Sequence, residues 1–263
     1  MPGVALRSGT RVLVTGASRG IGESLARAFA ERGCTLGLVA RSEEELRELA
    51  SSLPGDGHQP VPADVTDAGA LAAAIERFGD VEVVVANAGI AHYIRFAELP
   101  LDLAEQMTSV NWLGTLYTVK AVLPGMIERG RGHIVVIASA ASHRSFPQAS
   151  VYGATKAAQR GFADALRHEL ADTGVSVTIV YPGEIKTALH AHERERMPDW
   201  YHVDQAVPPE PLAKRVVEAV ERDRREVYYP PIIKLLRIAY GISPGLGDRI
   251  LRRMRGTGVA PRR

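Results

Sequence analysis

RVLVTGASRGIG, residues 11–22, runs from a β-branched pentapeptide with an apolar centre, Val12-Leu13-Val14, into a turn with three glycines. The first five residues read as a buried strand, because their centre is apolar on both faces. From Ile21 the pattern changes period: Ile21, Leu25, Ala28 and Phe29 share one face of a predicted helix over 21–32, stopped by Gly33. A strand, a glycine turn and a helix make the first half of a βαβ unit. Gly16 suits a tight turn. Gly20, without a Cβ, lets a pyrophosphate approach the backbone. Gly22 lets the helix pack closely on the strand. The open N–H groups of that helix start favour an anion. A glycine turn alone could be ligand-free; its place between a first strand and a first helix argues for a dinucleotide.

Outward from this turn the rhythm repeats. Candidate strands are 35–39, 59–63, 81–86, 133–138, 175–181 and 226–229, most of them continuously apolar. Ser42 and Glu45 form a capping box that opens a helix over 43–50. Longer helices are predicted over 101–127 and 151–171. Strand and helix in alternation imply an α/β fold: a single doubly wound, Rossmann-type parallel sheet of about seven strands with helices on both faces. The stretches 184–210 and 230–263 break the rhythm. The first unit is therefore expected to span 1–231 as a dinucleotide-binding and catalytic domain, followed by a C-terminal helical extension over 232–263.

The glycine spacing is G-x3-G-x-G, and with Thr15 it resembles the cofactor turn of the classical short-chain dehydrogenase/reductase family. The resemblance runs along about 230 residues and implies a nicotinamide dinucleotide held by Gly16, Ser18, Arg19, Gly20, Ile21 and Gly22. Asp64-Val65 resembles that family's pair at the adenine. Asn87-Ala88-Gly89 resembles its motif supporting the central sheet, with Ala86 where many members have another Asn. Pro182-Gly183, followed by Ile185 and Thr187, resembles its segment beside the nicotinamide. The choice between dinucleotides also has a physical basis. NAD is selected by a carboxylate after the second strand. Here Arg41 stands at that place, and a guanidinium suits a 2′-phosphate. With Arg19 joining it, NADP(H) is expected to be favoured over NAD(H).

Tyr152 and Lys156 are spaced i, i+4 at the start of a predicted helix, so they share a face. Eight tyrosines and five lysines would give about 0.15 such pairs by chance, and only this one occurs. A phenol titrates near 10; bringing it to about 7 takes roughly 4 kcal/mol of preferential phenolate stabilisation. A nearby ammonium and a cationic nicotinamide are the expected sources. Ser139 ends the fifth strand, where a parallel sheet opens its ligand crevice. Ser139, Tyr152 and Lys156 resemble the family's catalytic set, with Ser142 a weaker candidate for the serine. Asn111 resembles the family asparagine of a kinked helix and proton path. The implied reaction is hydride transfer between nicotinamide and a carbonyl or alcohol, with Tyr152 as general acid or base. A sugar-nucleotide epimerase or dehydratase, and a dinucleotide sensor without turnover, remain open alternatives. The first usually carries a larger C-terminal domain and G-x-x-G-x-x-G spacing; the second usually lacks one of the three catalytic residues.

The substrate wall is expected from 90–96, 140–149 and 184–208. His92, Tyr93, Phe146 and Trp200 with Ser139 are its main candidates, and Ile90, Phe96, Pro147, Leu189, Met197 and Tyr201 add to an apolar, aromatic set that suits a lipophilic substrate. His143, His190, His192 and His202 lack a fixed ligand spacing, so no metal is expected. One cysteine, Cys34, excludes an internal disulfide. No apolar run reaches the ~18 residues of a spanning helix, and the strand at Arg11 leaves no room for a removable leader, so a cytoplasmic protein is expected. The net charge of +2 is unevenly spread. Residues 232–263 hold eight Lys and Arg against Asp248 alone, a net +7; residues 1–231 hold 24 basic and 29 acidic residues, a net −5. An acidic body argues against nucleic acid. The basic tail, with Ile232, Leu235, Leu236 and Ala239 on one side, reads as amphipathic helix. It either covers the cleft or a second subunit, or lies on an anionic bilayer. The long helices at 101–127 and 151–171 resemble those that pair in the family's dimers and tetramers, so a homodimer or homotetramer is expected.

Overall fold

Valine- and leucine-rich pentads and hexads with no polar face can satisfy their backbone only inside a sheet covered on both sides. The computed structural model, which describes residues 4–187 and 206–245 together with Gly247 and Arg249, shows that arrangement. Seven parallel strands lie in the order β3-β2-β1-β4-β5-β6-β7. They are β1 Arg11–Thr15, β2 Thr35–Ala40, β3 Gln59–Pro62, β4 Val83–Ala86, β5 Gly132–Ile137, β6 Val175–Pro182 and β7 Glu226–Tyr229. Helices α1 Gly20–Ala30, α2 Glu43–Ser52 and α7 Glu210–Glu221 supply the core of one face. Helices α3 Ala68–Phe78, α5 Gly114–Glu128 and α6 Ser150–Glu169 supply the other. Alternate residues sort between them: Val12 and Val14 point to the first layer, Leu13 to the second, and all three are fully buried. Each such side chain contributes roughly 1.5–3 kcal/mol by leaving water.

The seven predicted strands are all present, most within two residues of their predicted ends. The Ser42 cap is also seen, its hydroxyl accepting from the Glu45 N–H at 3.4 Å. The predicted helix over 101–127 is not continuous. Helix α4 (Leu101–Met107) passes into a wide π-helical turn over Thr108–Leu113 before α5 begins. Helices α3 and α7 were not assigned from the pattern. Of the C-terminal extension, α8 (Ile232–Ile242) is described and packs beside β7. Among the described residues, no helix is long and apolar enough to cross a membrane.

One polar group is locked inside the sheet. His133 on β5 is fully buried, and its Nε2 lies 2.8 Å from Thr178 Oγ1, which itself donates to the Arg224 carbonyl at 2.6 Å. Nε2 therefore carries the proton, and Nδ1 has no partner among the described residues. Burial pushes the imidazole down to about 4. A base whose folded pKa lies below its unfolded one binds more protons when unfolded. Stability therefore rises with pH between about 4 and 6.5 and is lost as pH falls through that window. The loss should reach ~3 kcal/mol by pH 4. Proton NMR should show the His133 ring still neutral at pH 5; a midpoint near 6.5 would refute the assignment.

Candidate active site

Strand β1 pairs with β2 on one side and β4 on the other, and the chain winds outward in opposite directions from there. A crevice opens at such a switch point, beyond the carboxyl ends of the strands. It is occupied here by an elongated cavity of about 910 Å³. One end is bounded by Arg19, Arg41, Ser42, Glu45 and Asp64, the other by Ser139, Tyr152, Phe146 and Tyr93. Every residue expected to bind the cofactor lines this cavity except Gly22. Gly22 sits behind the turn, where a Cβ would collide with the Gly16 carbonyl, so it is the packing glycine that the turn requires.

The turn is held by side chains from its neighbours. Gly16 has φ +64°, and a Cβ there would lie 2.9 Å from Ala88 Cα. Thr15 Oγ1 accepts from the N–H groups of Asn87 (3.0 Å) and Ala88 (3.1 Å). Asn87 Nδ2 donates to the carbonyls of Thr15 (2.9 Å) and Gly16 (3.2 Å). Asn87 is thus a strut that fixes the β1 turn against the end of β4. Gly20 has φ +62°, and its missing Cβ also makes room for Thr187, whose Cβ would stand 3.1 Å away. The turn is thereby closed against the segment after β6, a second use of Gly20 beside anion approach. A glycine cradle at a helix N-terminus, with no side chain filling it, fits a dinucleotide pyrophosphate.

Arg19 and Arg41 are exposed, and among the described residues neither guanidinium has a hydrogen-bond or ion-pair partner. Asp64 is already engaged, its Oδ1 accepting from Thr66 N (2.9 Å) and Oγ1 (2.8 Å). Val65 beside it packs against Gly114.

At the other end Ser139 closes β5 and begins a single tight turn over Ala140–Ser142. Its Oγ accepts from the Ala141 N–H at 3.1 Å, which leaves its own proton to donate. Tyr152 is buried in the first turns of α6, and the Ser139 side chain acts on its phenol. Lys156, one turn on, is buried; its Nζ donates to the Ile137 carbonyl at 2.9 Å and lies 5.9 Å from the Tyr152 ring centre. Burial raises the Tyr152 phenol above its ordinary value, and the Ser139 side chain opposes this. Burial also lowers Lys156 to about 7. Both shifts run against the share of phenolate stabilisation expected from the ammonium and leave the share expected from a cationic nicotinamide untouched. The chain itself stabilises phenolate chiefly through the Ser139 hydroxyl, and further positive charge must enter with a ligand.

Asn111 is not a surface polar residue and does not line the cavity; it is fully buried inside the π-helical turn. Its Oδ1 accepts from Ile90 N at 2.8 Å, and its Nδ2 donates to Ile90 O and Thr155 Oγ1, each at 3.0 Å. The side chain thereby pins the loop after β4 to α6, and the widened turn is the backbone's response. Its carbonyl, released from regular helix bonding, accepts from Thr115 Oγ1 and Gln159 Nε2, both at 2.8 Å. Asn111 thus ties the loop after β4 to α6 through its side chain and to Gln159 through its carbonyl. Gln159, fully buried, escaped the sequence reading. Its signal was a polar residue one turn beyond Thr155 and Lys156 on the inner face of α6.

Ser142 is a brace, its Oγ donating to the Ser139 carbonyl at 2.6 Å. His92, Tyr93 and Phe146 line the cavity. Tyr93 meets the Tyr152 ring edge-on at 6.0 Å and the Phe146 ring at 5.7 Å. Phe96 is 67% exposed and does not join them, nor does Pro147. Trp200, Leu189, Met197, Tyr201, His190, His192 and His202 lie outside the described residues. His143 is a packing group, its ring tilted by 40° against Tyr181 at 4.4 Å between centres and accepting from Arg160 Nη1 at 3.0 Å. Among the described residues no cluster of His, Cys, Asp or Glu could hold a metal ion.

A doubly wound sheet with a glycine cradle at its switch point and a serine, a tyrosine and a lysine on one wall defines a dinucleotide-dependent oxidoreductase. The chain belongs to the short chain dehydrogenase family, whose description matches residues 10–198. It is 34% identical over 256 residues to the mouse protein named dehydrogenase/reductase SDR family member 7B, covering 91% of this chain and 79% of the mouse protein. Among solved structures it is similar to a short chain dehydrogenase from Burkholderia cenocepacia in complex with NADP (TM-score 0.79, 27% identity, 94% of this chain and 98% of that one). It is also similar to a 3-oxoacyl-[acyl-carrier protein] reductase with bound NAD from Brucella melitensis (TM-score 0.72, 30% identity, 85% and 92%). The chain is thus an oxidoreductase of this family, using a nicotinamide cofactor and acting on CH–OH donors.

Proposed function

We propose that this chain is an NADP(H)-dependent reductase or dehydrogenase interconverting a carbonyl and an alcohol on a lipophilic small molecule. The observation that carries the reading is one cavity with two arginines at one end, unpartnered among the described residues, and Ser139, Tyr152 and Lys156 at the other. The bound nicotinamide supplies or accepts the hydride. Tyr152 gives its phenol proton to the substrate oxygen in reduction and takes it back in oxidation. Ser139, whose lone pair is taken by Ala141 N–H, donates to that same oxygen as charge develops. Lys156 has N–H groups beyond the one on Ile137 O, available to a ribose hydroxyl. Arg19 and Arg41 would hold a 2′-phosphate with charge-assisted bonds. Tyr93, Phe146 and Ile90 support an apolar substrate. The intact catalytic set favours turnover over cofactor sensing.

Purified protein mixed with NADPH or NADH and a panel of ketones and aldehydes tests this directly. NADPH should be consumed faster, with the apolar carbonyls best. Oxidation of neither cofactor, or equal use of both, would refute it. Assembly as a homodimer or homotetramer through α5 and α6 is part of the proposal, supported by half-buried Leu116 and Tyr117 on α5 and Phe162 on α6. Light scattering showing a monomer at micromolar concentration would remove it. A cytoplasmic site is proposed from the single cysteine, whose buried thiol is pushed up to about 11 and so stays protonated.

A further inference from the structure

We infer that the outer face of α8 docks on an anionic lipid bilayer, beside the mouth of the cavity. The helix has two apolar faces that do different things. Ile232, Ile233 and Leu236 line the cavity, and Ile233 packs over Gly183 at the end of β6. Leu235, Ile238 and Ile242, spaced i, i+3, i+7, form a second stripe that points away from the body. They are 63%, 48% and 77% exposed. One stripe therefore closes the site and the other has nothing on it among the described residues. At eleven residues α8 is far shorter than the ~20 a spanning helix needs, so it would lie in the interface plane.

Charge decides which occupant fits. Residues 232–263 carry a net +7 on a body of −5. Exposed Lys234 flanks the stripe, and exposed Arg249 follows it. Arg237 is turned to the other side, 3.3 Å from Glu226 and over the Tyr228 ring, and takes no part. A second copy meeting this face across a two-fold axis would bring the same basic segment against itself. An anionic surface offers the opposite sign, and each Lys or Arg near it adds about 1 kcal/mol. A lipophilic substrate dissolved in that bilayer would then meet Ile232 and Leu236 at the cavity edge. This last step rests on the proposed reaction; the docking itself does not.

The test is co-sedimentation of the full chain with vesicles of phosphatidylcholine, with and without phosphatidylserine. Binding should require phosphatidylserine and weaken with added salt. The variant Leu235→Ser/Ile238→Ser/Ile242→Ser alters only outward side chains. It should bind the anionic vesicles at least about tenfold more weakly while keeping its circular dichroism and its NADPH affinity. No binding by the parent chain, or equal binding by the variant, would overturn the inference. A parent oligomer that the variant breaks to monomers, with no vesicle binding by either, would assign the face to a second copy and overturn it as well. Vesicle binding by a chain that oxidises no cofactor would leave the docking intact and sink the reaction instead.

Discussion

Tyr152→Phe should lower kcat by about a thousandfold, within the 10²–10⁴ range of a lost general acid, and leave cofactor affinity nearly unchanged. Phenylalanine keeps the ring, so the edge-on contact with Tyr93 at 6.0 Å survives. What goes is one phenol hydroxyl, the group on which the Ser139 side chain acts. Ser139 stays anchored by Ala141 N–H, and Lys156 by the Ile137 carbonyl. The site therefore keeps its shape and loses only its proton. Rates should be measured with saturating NADPH, and cofactor affinity by titration calorimetry. A variant retaining a tenth of the parent rate would show that another group, or water, delivers the proton. A variant that no longer binds cofactor would show that Tyr152 is needed for the pocket itself.

The parts of this molecule visible in the sequence are those whose cause is local. Val12-Leu13-Val14 can be nothing but a buried strand, and Gly16, Gly20 and Gly22 mark a turn because φ near +60° at the first two and close packing at the third admit little else. Tyr152 and Lys156 are placed together by helix spacing alone. The π-helical turn was foreshadowed only by the resemblance that put Asn111 at a helix kink; the local residues do not show it, because its cause is Asn111 bonding to Ile90, 21 residues away. Gln159 was missed for the same reason: its partners, Asn111 and Thr115, lie on another helix. Helix α3 was legible and was missed: behind the Asp67 cap, Leu71, Ala74, Ile75 and Phe78 stand at helical spacing. The direction of the pKa shifts was also out of reach. Spacing brings an ammonium near a phenol, but only the folded chain shows that both are buried enough for desolvation to dominate.

Arg41→Asp should lower NADPH affinity by about a hundredfold and leave NADH affinity unchanged or improved. The guanidinium is exposed at the end of the cavity and unpartnered among the described residues, so removing it breaks no contact with them. A charge-assisted bond to a 2′-phosphate is worth ~1.5–3 kcal/mol. A carboxylate in its place adds repulsion of ~1–4 kcal/mol at contact, depending on solvent exposure. Even the lower ends of both ranges sum to more than the 1.4 kcal/mol that makes a factor of ten. Arg19 remains, which keeps NADPH binding measurable. The same carboxylate could accept a bond from a free ribose 2′-hydroxyl, the usual device for selecting NAD. Folding should not suffer: position 41 precedes the Ser42 cap of α2, where a negative charge complements the helix dipole. Dissociation constants for both cofactors, measured on parent and variant at one ionic strength, give the ratio that matters. If that ratio stays the same, Arg41 does not contact the 2′ position, and the preference for NADP(H) loses its physical basis.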